Sequence, residues 1–464
     1  IGLNQIYYSF CNGNVFFSSD VKLLARILNR SIDQRVLTTI YLRRGYIPPP
    51  YTIFSKIYKL HPGTGLCIDL KNYYRNFYKF FDIYEIRPLK NIGYLQAEEL
   101  VNDTLQHVIE RSFQWKNKYG VLLSGGLDSG SIAAFAKKIR NDIDLKGITL
   151  ANLPEAIYAR QIAQYLDIEL LEVYLDQTSF LKALISSFQH LQEPLAGIGI
   201  IPQTYALLKE AKERGLEIIV TGDLGDEIFF GYPRVFVQER MYKRYSRFPN
   251  FVLLGIEKLR ELMRNSVLPV GRILNFLYPS YLDATLNADY KFKNDEPITR
   301  WYRKLIVESV TFNAAGPKRL QDFCSYFNLR LTLPYASRKA IETLYSLPYY
   351  LKQPTMYLTK YILRGLLLRR KLLPSQVIVL PKTGLWMNQI WFSKELMREY
   401  IELLFEYKDI SMLPIISKIP KLLRLYSRGL GPDLLDKTLS FLLWNICNKR
   451  VNDRECHAFG IQHQ

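Results

Sequence analysis

The stretch GVLLSGGLDSGS, residues 120–131, carries the densest chemistry in the chain. An apolar run stops at Ser124. Gly125 and Gly126 then let the backbone turn tightly and expose consecutive N–H groups, while Ser124 and Ser129 add hydroxyl donors. A helix starting near Ser129 directs its positive end at the loop. Together these make a nest for phosphate. The string is not a Walker A loop, because GxxxxGK(S/T) and its lysine are missing. Asp128 is the odd member, since a carboxylate inside a phosphate nest repels the ligand. A divalent cation bridging carboxylate and phosphate removes the conflict, so Asp128 predicts Mg2+. The two glycines alone equally fit a plain strand-to-helix turn capped by Asp128; the whole SGGLDS string after an apolar strand favours the nest.

VTGDLGDEIFFGY, residues 220–232, has the form of a second ligand loop. It also follows an apolar strand, and Asp223, Asp226 and Glu227 crowd it together with Gly222 and Gly225. In a parallel sheet both loops emerge at one edge, which would let Asp128 and Asp226 share the metal. A simple acidic turn is the plainer alternative.

The elements that must position these loops are legible as a strand–helix alternation. Leu100, Val101, Leu105, Val108 and Ile109 fall on one helical face between Gly93 and Phe113. YGVLL follows as a buried strand, then SIAAFAKKI as a helix, KGITL (146–150) as a strand and EAIYARQIAQYL (155–166) as a helix. ELLEVYL (169–175), YALLKEAKERG (205–215) and LEIIVTG (216–222) continue as strand, helix and strand. This order predicts an α/β fold with a doubly wound parallel sheet, and ligands beyond the carboxyl ends of its strands. Before it, QIYYSF, NVFFSS and GLCIDL read as short strands around a helix over about Asp20–Leu28. Beyond about Gly231 strand signals fade, and a Leu/Tyr/Arg-rich, mostly helical part follows.

Composition sets the outer bounds. The 464 residues are 48% hydrophobic and 23% charged, an ordinary globular balance. No apolar run reaches the ~18–20 residues that span a bilayer. The five cysteines (Cys11, Cys67, Cys324, Cys447, Cys456) form no CxxC pair and the five histidines do not cluster. That suits a reducing, cytoplasmic setting and argues against a disulfide framework or zinc. The net charge is +19, and Gly231 to Ser280 carries nine Lys/Arg against three acids. A solvated helical face accounts for that stretch, with an acidic peptide or nucleic acid as the alternatives.

SGGLDS after a strand resembles the pyrophosphate loop of the N-type ATP pyrophosphatases. Paired with TGDLGDEIFFGY, it is similar to the asparagine synthetase superfamily, whose members include lasso-peptide cyclases and β-lactam synthetases. DVKLLARIL and YTIFSKIYKLHPG (51–63) resemble the end of that family's glutaminase domain, and KYILRGLLLRRKLLPSQVIVLPKTGLW (360–386) its helix, LP turn and lysine loop. LTLPYASRKAIETLYSLP (331–348) resembles its RVPFLD segment more weakly, and residues 235–320 resemble it least. The resemblance implies a sheet of the ATP-pyrophosphatase (adenine nucleotide alpha hydrolase-like) type with a helical C-terminal part over residues 89–464. Residues 1–88 would be the truncated end of an Ntn-type, β-rich glutaminase-like domain and its linker.

The chemistry it implies is ATP-dependent amide formation. A carboxylate is adenylated with release of pyrophosphate, and ammonia or an amine then takes the acyl group. Carried over by position, Ser124, Gly125, Gly126, Asp128 and Ser129 contact pyrophosphate. Leu123, Ile148, Thr221 and Gly222 contact the nucleotide, and Asp128 and Asp226 hold Mg2+. Lys382 stabilises the developing negative charge, and Lys360 and Arg364 add positive charge near the phosphates. Asp223, where relatives carry Glu or Tyr, would accept a proton from the amine or orient substrate.

Two departures stand out. Ile1 and Gly2 occupy the start where glutamine-dependent members have a nucleophilic cysteine, so this is either a fragment or a degenerate glutaminase half. In the RVPFLD segment, Thr332 replaces Arg and Ala336-Ser337 replaces Leu-Asp, which questions aspartate as substrate. The readings that follow are an asparagine-synthetase-like ligase, an intramolecular amide-forming cyclase, a non-catalytic nucleotide-binding protein and, least supported, an enzyme modifying nucleic acid. The expected partners are ATP, Mg2+, and a small or peptide carboxylate with an amine donor. A homodimer is possible on this reading; nucleic acid and membrane are not expected.

Overall fold

The computed structural model describes residues 5–69, 71, 75–232, 315–355, 358–380 and 436–448. Lys382 and all nine basic residues counted in the 231–280 stretch lie outside the described residues.

The N-terminal part is β-rich, as its turn signals require. β1 (Tyr7–Cys11) and β2 (Asn14–Ser18) form a hairpin about Asn12-Gly13, both at positive φ. Helix α1 (Val21–Ile27) starts at Asp20, whose carboxylate accepts from the Leu23 N–H at 2.9 Å. A π-helical stretch (Val36–Tyr41) and the short α2 (Leu42–Arg44) follow. β3 (Tyr58–Lys59) pairs with β1, and β4 (Thr64–Ile68) pairs with β5 (Arg75–Lys79). Val36, Leu37, Tyr41, Ile47 and Ile53 from this part enter one of the two main cores.

The main sheet is built from β6 (Tyr119–Leu122), β7 (Leu145–Leu150), β8 (Glu169–Val173), β9 (Ile218–Val220) and β10 (Arg330–Thr332). All four pairings are parallel, in the order β10-β9-β6-β7-β8. Strand alternation assigns the two faces. Tyr119, Val121, Ile218 and Val220 enter one core; Ile148, Leu150, Leu171 and Ile219 enter the other. Each fully buried Leu or Ile contributes about 1.5–3 kcal/mol to this packing.

Helices cover both faces, which makes the sheet doubly wound. The first face takes α3 (Tyr94–Ser112), α4 (Leu127–Ile139) and α5 (Ala156–Leu166). The second takes α6 (Gln177–His190), α7 (Ile200–Glu213), the later helix α9 (Ala315–Tyr326) and the helical residues 436–448. The short α8 (Gly225–Phe229) follows β9. α10 (Arg338–Ser346), α11 (Tyr349–Lys352), α12 (Tyr361–Arg369) and α13 (Ser375–Val379) return to the first face. No helix among the described residues is long and apolar enough to cross a membrane.

Two elements differ from the sequence reading. α6 carried no distinct signal, and α7 begins at Ile200, earlier than the periodic run from 205. β10 is a strand in the part where strand signals fade. Its three residues, Arg330-Leu331-Thr332, have no apolar run of their own; they are held by the register Arg330↔Ile218 to Thr332↔Val220 at the sheet edge.

Candidate active site

The chain runs β6, β7, β8 toward one side of the sheet and β9, β10 toward the other, so the order switches between β6 and β9. Loops after these two strands flank the crevice where such sheets bind ligands. The two motif loops are these two loops.

After β6, Leu123 still donates its N–H to Ile148 O at 2.8 Å. The chain then turns at Gly125, with φ of 78°. A Cβ there would lie 2.6 Å from Glu155 O and 2.9 Å from Tyr158 Cβ, so only glycine fits both the conformation and the space. Gly126 caps α4 in extended conformation, and Asp128 sits in the first turn, where a negative charge suits the helix dipole. Ser124 and Ser129 are joined: Ser129 Oγ accepts from the Ser124 N–H at 3.2 Å and lies 3.3 Å from Ser124 Oγ. Deeper in α4, Ser131 Oγ meets the buried Tyr335 hydroxyl at 2.6 Å.

After β9, Thr221 N donates to Thr332 O at 3.3 Å, and Gly222 packs on the first loop. A Cβ on Gly222 would come within 2.7 Å of Ser129 N; one on Gly225 would lie 2.4 Å from Asp128 Oδ1. Leu224 and Phe230, at φ of 73° and 55°, bracket α8. Left-handed non-glycine residues cost of order 1–3 kcal/mol and persist where surrounding structure imposes them. Here they turn α8 so that Asp226 approaches Asp128.

The two carboxylates share one ammonium. Lys360 Nζ contacts Asp128 Oδ2 and lies 2.7 Å from Asp226 Oδ1. Lys360 itself is at φ of 55° at the start of α12 and nearly buried. Burial would drive its ammonium down, but Asp128 and Asp226 together hold it above its ordinary value. Arg364, one turn on, donates to Thr359 O at 2.7 Å and to Ile378 O. Burial lowers its pKa, and the Asp128 charge opposes that. Glu227 is buried and accepts the Tyr232 hydroxyl at 2.6 Å; burial pushes its carboxyl up to about 7.

Among the described residues no group of three or more His, Cys, Asp or Glu gathers as a metal cage. A pair of carboxylates is nonetheless the donor set that suits Mg2+ completed by phosphate oxygens and water. The ammonium between them shows that positive charge is accommodated there.

Of the residues singled out by sequence, Leu123, Ser124, Gly125, Gly126, Asp128, Ser129, Thr221, Gly222, Asp223 and Asp226 lie just beyond the carboxyl ends of β6 and β9, whereas Ile148 lies within β7 with its side chain in the core. Asp223 Oδ2 accepts from the Thr221 hydroxyl. Lys382 lies outside the described residues. Lys360, expected to add positive charge near the phosphates, pairs with both carboxylates. Ser337, standing where the family segment has Asp, accepts from the Ala340 N–H at 3.3 Å as the cap of α10. Ser and Asp are both good caps, so this substitution preserves a local function. Sequence reasoning missed Arg319 and Tyr335, whose partners come from distant segments without a local pattern.

These loops, at the switch point of a doubly wound α/β sheet, occupy the place where such folds bind ligands. Residues 100–438 match the asparagine synthase family model, and the chain belongs to that family. It is similar to asparagine synthetase (glutamine-hydrolyzing) 1 of Bacillus subtilis (strain 168), 26% identical over 279 residues, 58% of this chain and 41% of the relative. The chain thus spans less than half the length of that relative. Among solved structures, the NH3-dependent NAD synthetase of Campylobacter jejuni covers 48% of this chain and 96% of its own. Its identity is 13% and its TM-score 0.24.

Proposed function

We propose that this chain adenylates a carboxylate with ATP and passes the acyl group to ammonia or an amine, forming an amide. The observation that carries the reading is the convergence of Asp128 and Asp226, from the loops after β6 and β9, on one positive charge beside the Ser124–Ser129 nest. Family membership supports ATP use.

In this mechanism a carboxylate oxygen attacks the α-phosphorus of ATP, and the bond to the bridging oxygen of the β-phosphate breaks. Pyrophosphate leaves into the nest, where the N–H groups of the Gly125–Asp128 turn and the hydroxyls of Ser124 and Ser129 bind it. Mg2+, held by Asp128 and Asp226, would offset the phosphate charge. Lys360 and Arg364 keep the surroundings positive, and Lys382 stabilises charge on the leaving group. The amine then attacks the acyl carbon, AMP departs, and Asp223 takes the amine's proton. Leu123, Ile148, Thr221 and Gly222 line the nucleotide. Residues 1–88 are assigned to the end of a glutaminase-like domain.

The cyclase reading, in which amine and carboxylate belong to one substrate, is favoured by one feature. Thr332, on β10 beside Val220, stands where the family segment has Arg. Nucleotide products distinguish this chemistry from other ATP use. Incubation with ATP, magnesium, ammonium and a panel of carboxylates is expected to give AMP. Accumulation of ADP instead would exclude adenylation.

A further inference from the structure

Asp223 and Arg319 face one another at the carboxyl end of β9 without closing an ion pair. Asp223 uses Oδ2 to accept the Thr221 hydroxyl. Arg319, on α9, donates its Nε to Thr204 Oγ1 of α7 at 3.0 Å. Arg319 Nη1 and Asp223 Oδ1 approach the same point, the place a Cβ on Gly316 would take, at 2.9 and 3.7 Å. A Cβ at 316 would crowd the guanidinium, so glycine is what lets Arg319 and Asp223 come this near to one another.

The neighbours of Arg319 do not fill the role of its partner. Lys318 and Asp322 pair with each other at 2.5 Å, and Asp322 also accepts from the Gln192 N–H at 3.0 Å. Burial pushes the Arg319 guanidinium below its ordinary value, and Asp223 is the charge that opposes it. Arg319 is half-buried, and among the described residues its guanidinium has no hydrogen-bonded anion. A planar anion with two oxygens matches the guanidinium fork. The place is also right for the chemistry. Asp223 follows Gly222, which packs on Asp128 and Ser129 of the phosphate nest. Across the same loop, Thr332 has no charge to offer, although its carbonyl holds Thr221.

We propose that Arg319, facing Asp223, binds the carboxylate of the substrate that is to be activated. This inference rests on the adenylating reading above. Arg319 fixes the carboxylate beside the α-phosphate of ATP, and Asp223, facing it, meets the incoming amine. Specificity at this position then depends on the α9 cation, with Thr204 setting the plane of the guanidinium.

The test measures pyrophosphate release from ATP against rising concentrations of L-aspartate, L-glutamate and an aspartate-containing hexapeptide, with ammonium chloride as amine source. Binding of a fluorescent ATP analogue is measured in parallel. Arg319→Gln is expected to raise the half-saturating concentration of the active carboxylate about 10- to 100-fold, with ATP-analogue affinity changed by no more than about twofold. Arg319→Lys should fall between parent and Arg319→Gln. Thr204→Val, which frees Nε but keeps the charge, should give a smaller rise in the same direction. An unchanged carboxylate dependence in Arg319→Gln, or equal losses for carboxylate and ATP in all three variants, overturns the inference. ATP binding by the parent with no response to any of the three carboxylates also overturns it as stated. Failure of the parent to bind the ATP analogue overturns the adenylating reading and this inference together.

Discussion

Asp128 and Asp226, 98 positions apart in the numbering, are bound to one ammonium, that of Lys360. Neither carboxylate is fully exposed, at 17% and 23% of the side chain, and the lysine is at 6%. Two carboxylates brought this close need a cation, and in the absence of metal Lys360 supplies it. Lys360→Met should therefore destabilise the metal-free protein by about 3–5 kcal/mol, the cost of removing one partner from a buried charge group. Urea unfolding in EDTA measures this. Adding magnesium should recover part of the loss in Lys360→Met and less in the parent. Equal stability of parent and variant in EDTA would show that the carboxylates do not depend on the lysine.

Gly125 is fixed by two independent constraints, a φ of 78° and a backbone oxygen 2.6 Å from where a Cβ would sit. Gly125→Ala should cost about 1–3 kcal/mol and move the loop that presents the N–H groups. Affinity for an ATP analogue is expected to fall by more than about tenfold. Gly215→Ala is a control, since it shares a positive φ of 71° but has open space around it. If both variants bind the analogue equally well, the Ser124–Ser129 loop is not a phosphate nest.

Lys352 gives a pH dependence. It is fully buried, with Nζ 3.4 Å from Tyr345 O and 5.4 Å from the centre of the Phe230 ring. Burial pushes its ammonium from 10.5 down to about 7. Between those values the folded chain binds fewer protons than the unfolded chain, so this lysine's contribution to stability rises with pH. Its cost is fully present below about 7 and fades toward 10.5. Lys352→Met should thus be more stable than the parent at pH 6, on the order of a few kcal/mol, with the gap closing by pH 10. A difference that does not vary with pH would show that burial does not shift this lysine.

The sequence reveals the sheet and its loops because both rest on local patterns. An apolar run followed by SGGLDS can only leave a strand at its carboxyl end, and 3.6-residue periodicity marks α3 and α5 directly. The assembly of charges at the site is less legible. Lys360 lies 232 residues from Asp128, so no spacing rule joins them; only the family resemblance of its segment placed it near the phosphates. Arg319 reads as one more charge on an amphipathic helix until α9 is docked on α7. Tyr335 looks like a core aromatic, and only the fold brings its hydroxyl to Ser131, 204 positions away. β10 is held by β9 rather than by its own three residues.

The central claim is that Asp128 belongs to a magnesium–pyrophosphate site used to activate a carboxylate. It is tested most directly by following pyrophosphate release from ATP in the parent and in Asp128→Ala, with magnesium, ammonium and the carboxylate panel. Carboxylate-dependent release is expected in the parent, with a loss of about 100-fold or more in Asp128→Ala. Release unchanged by the Asp128→Ala substitution would contradict the account.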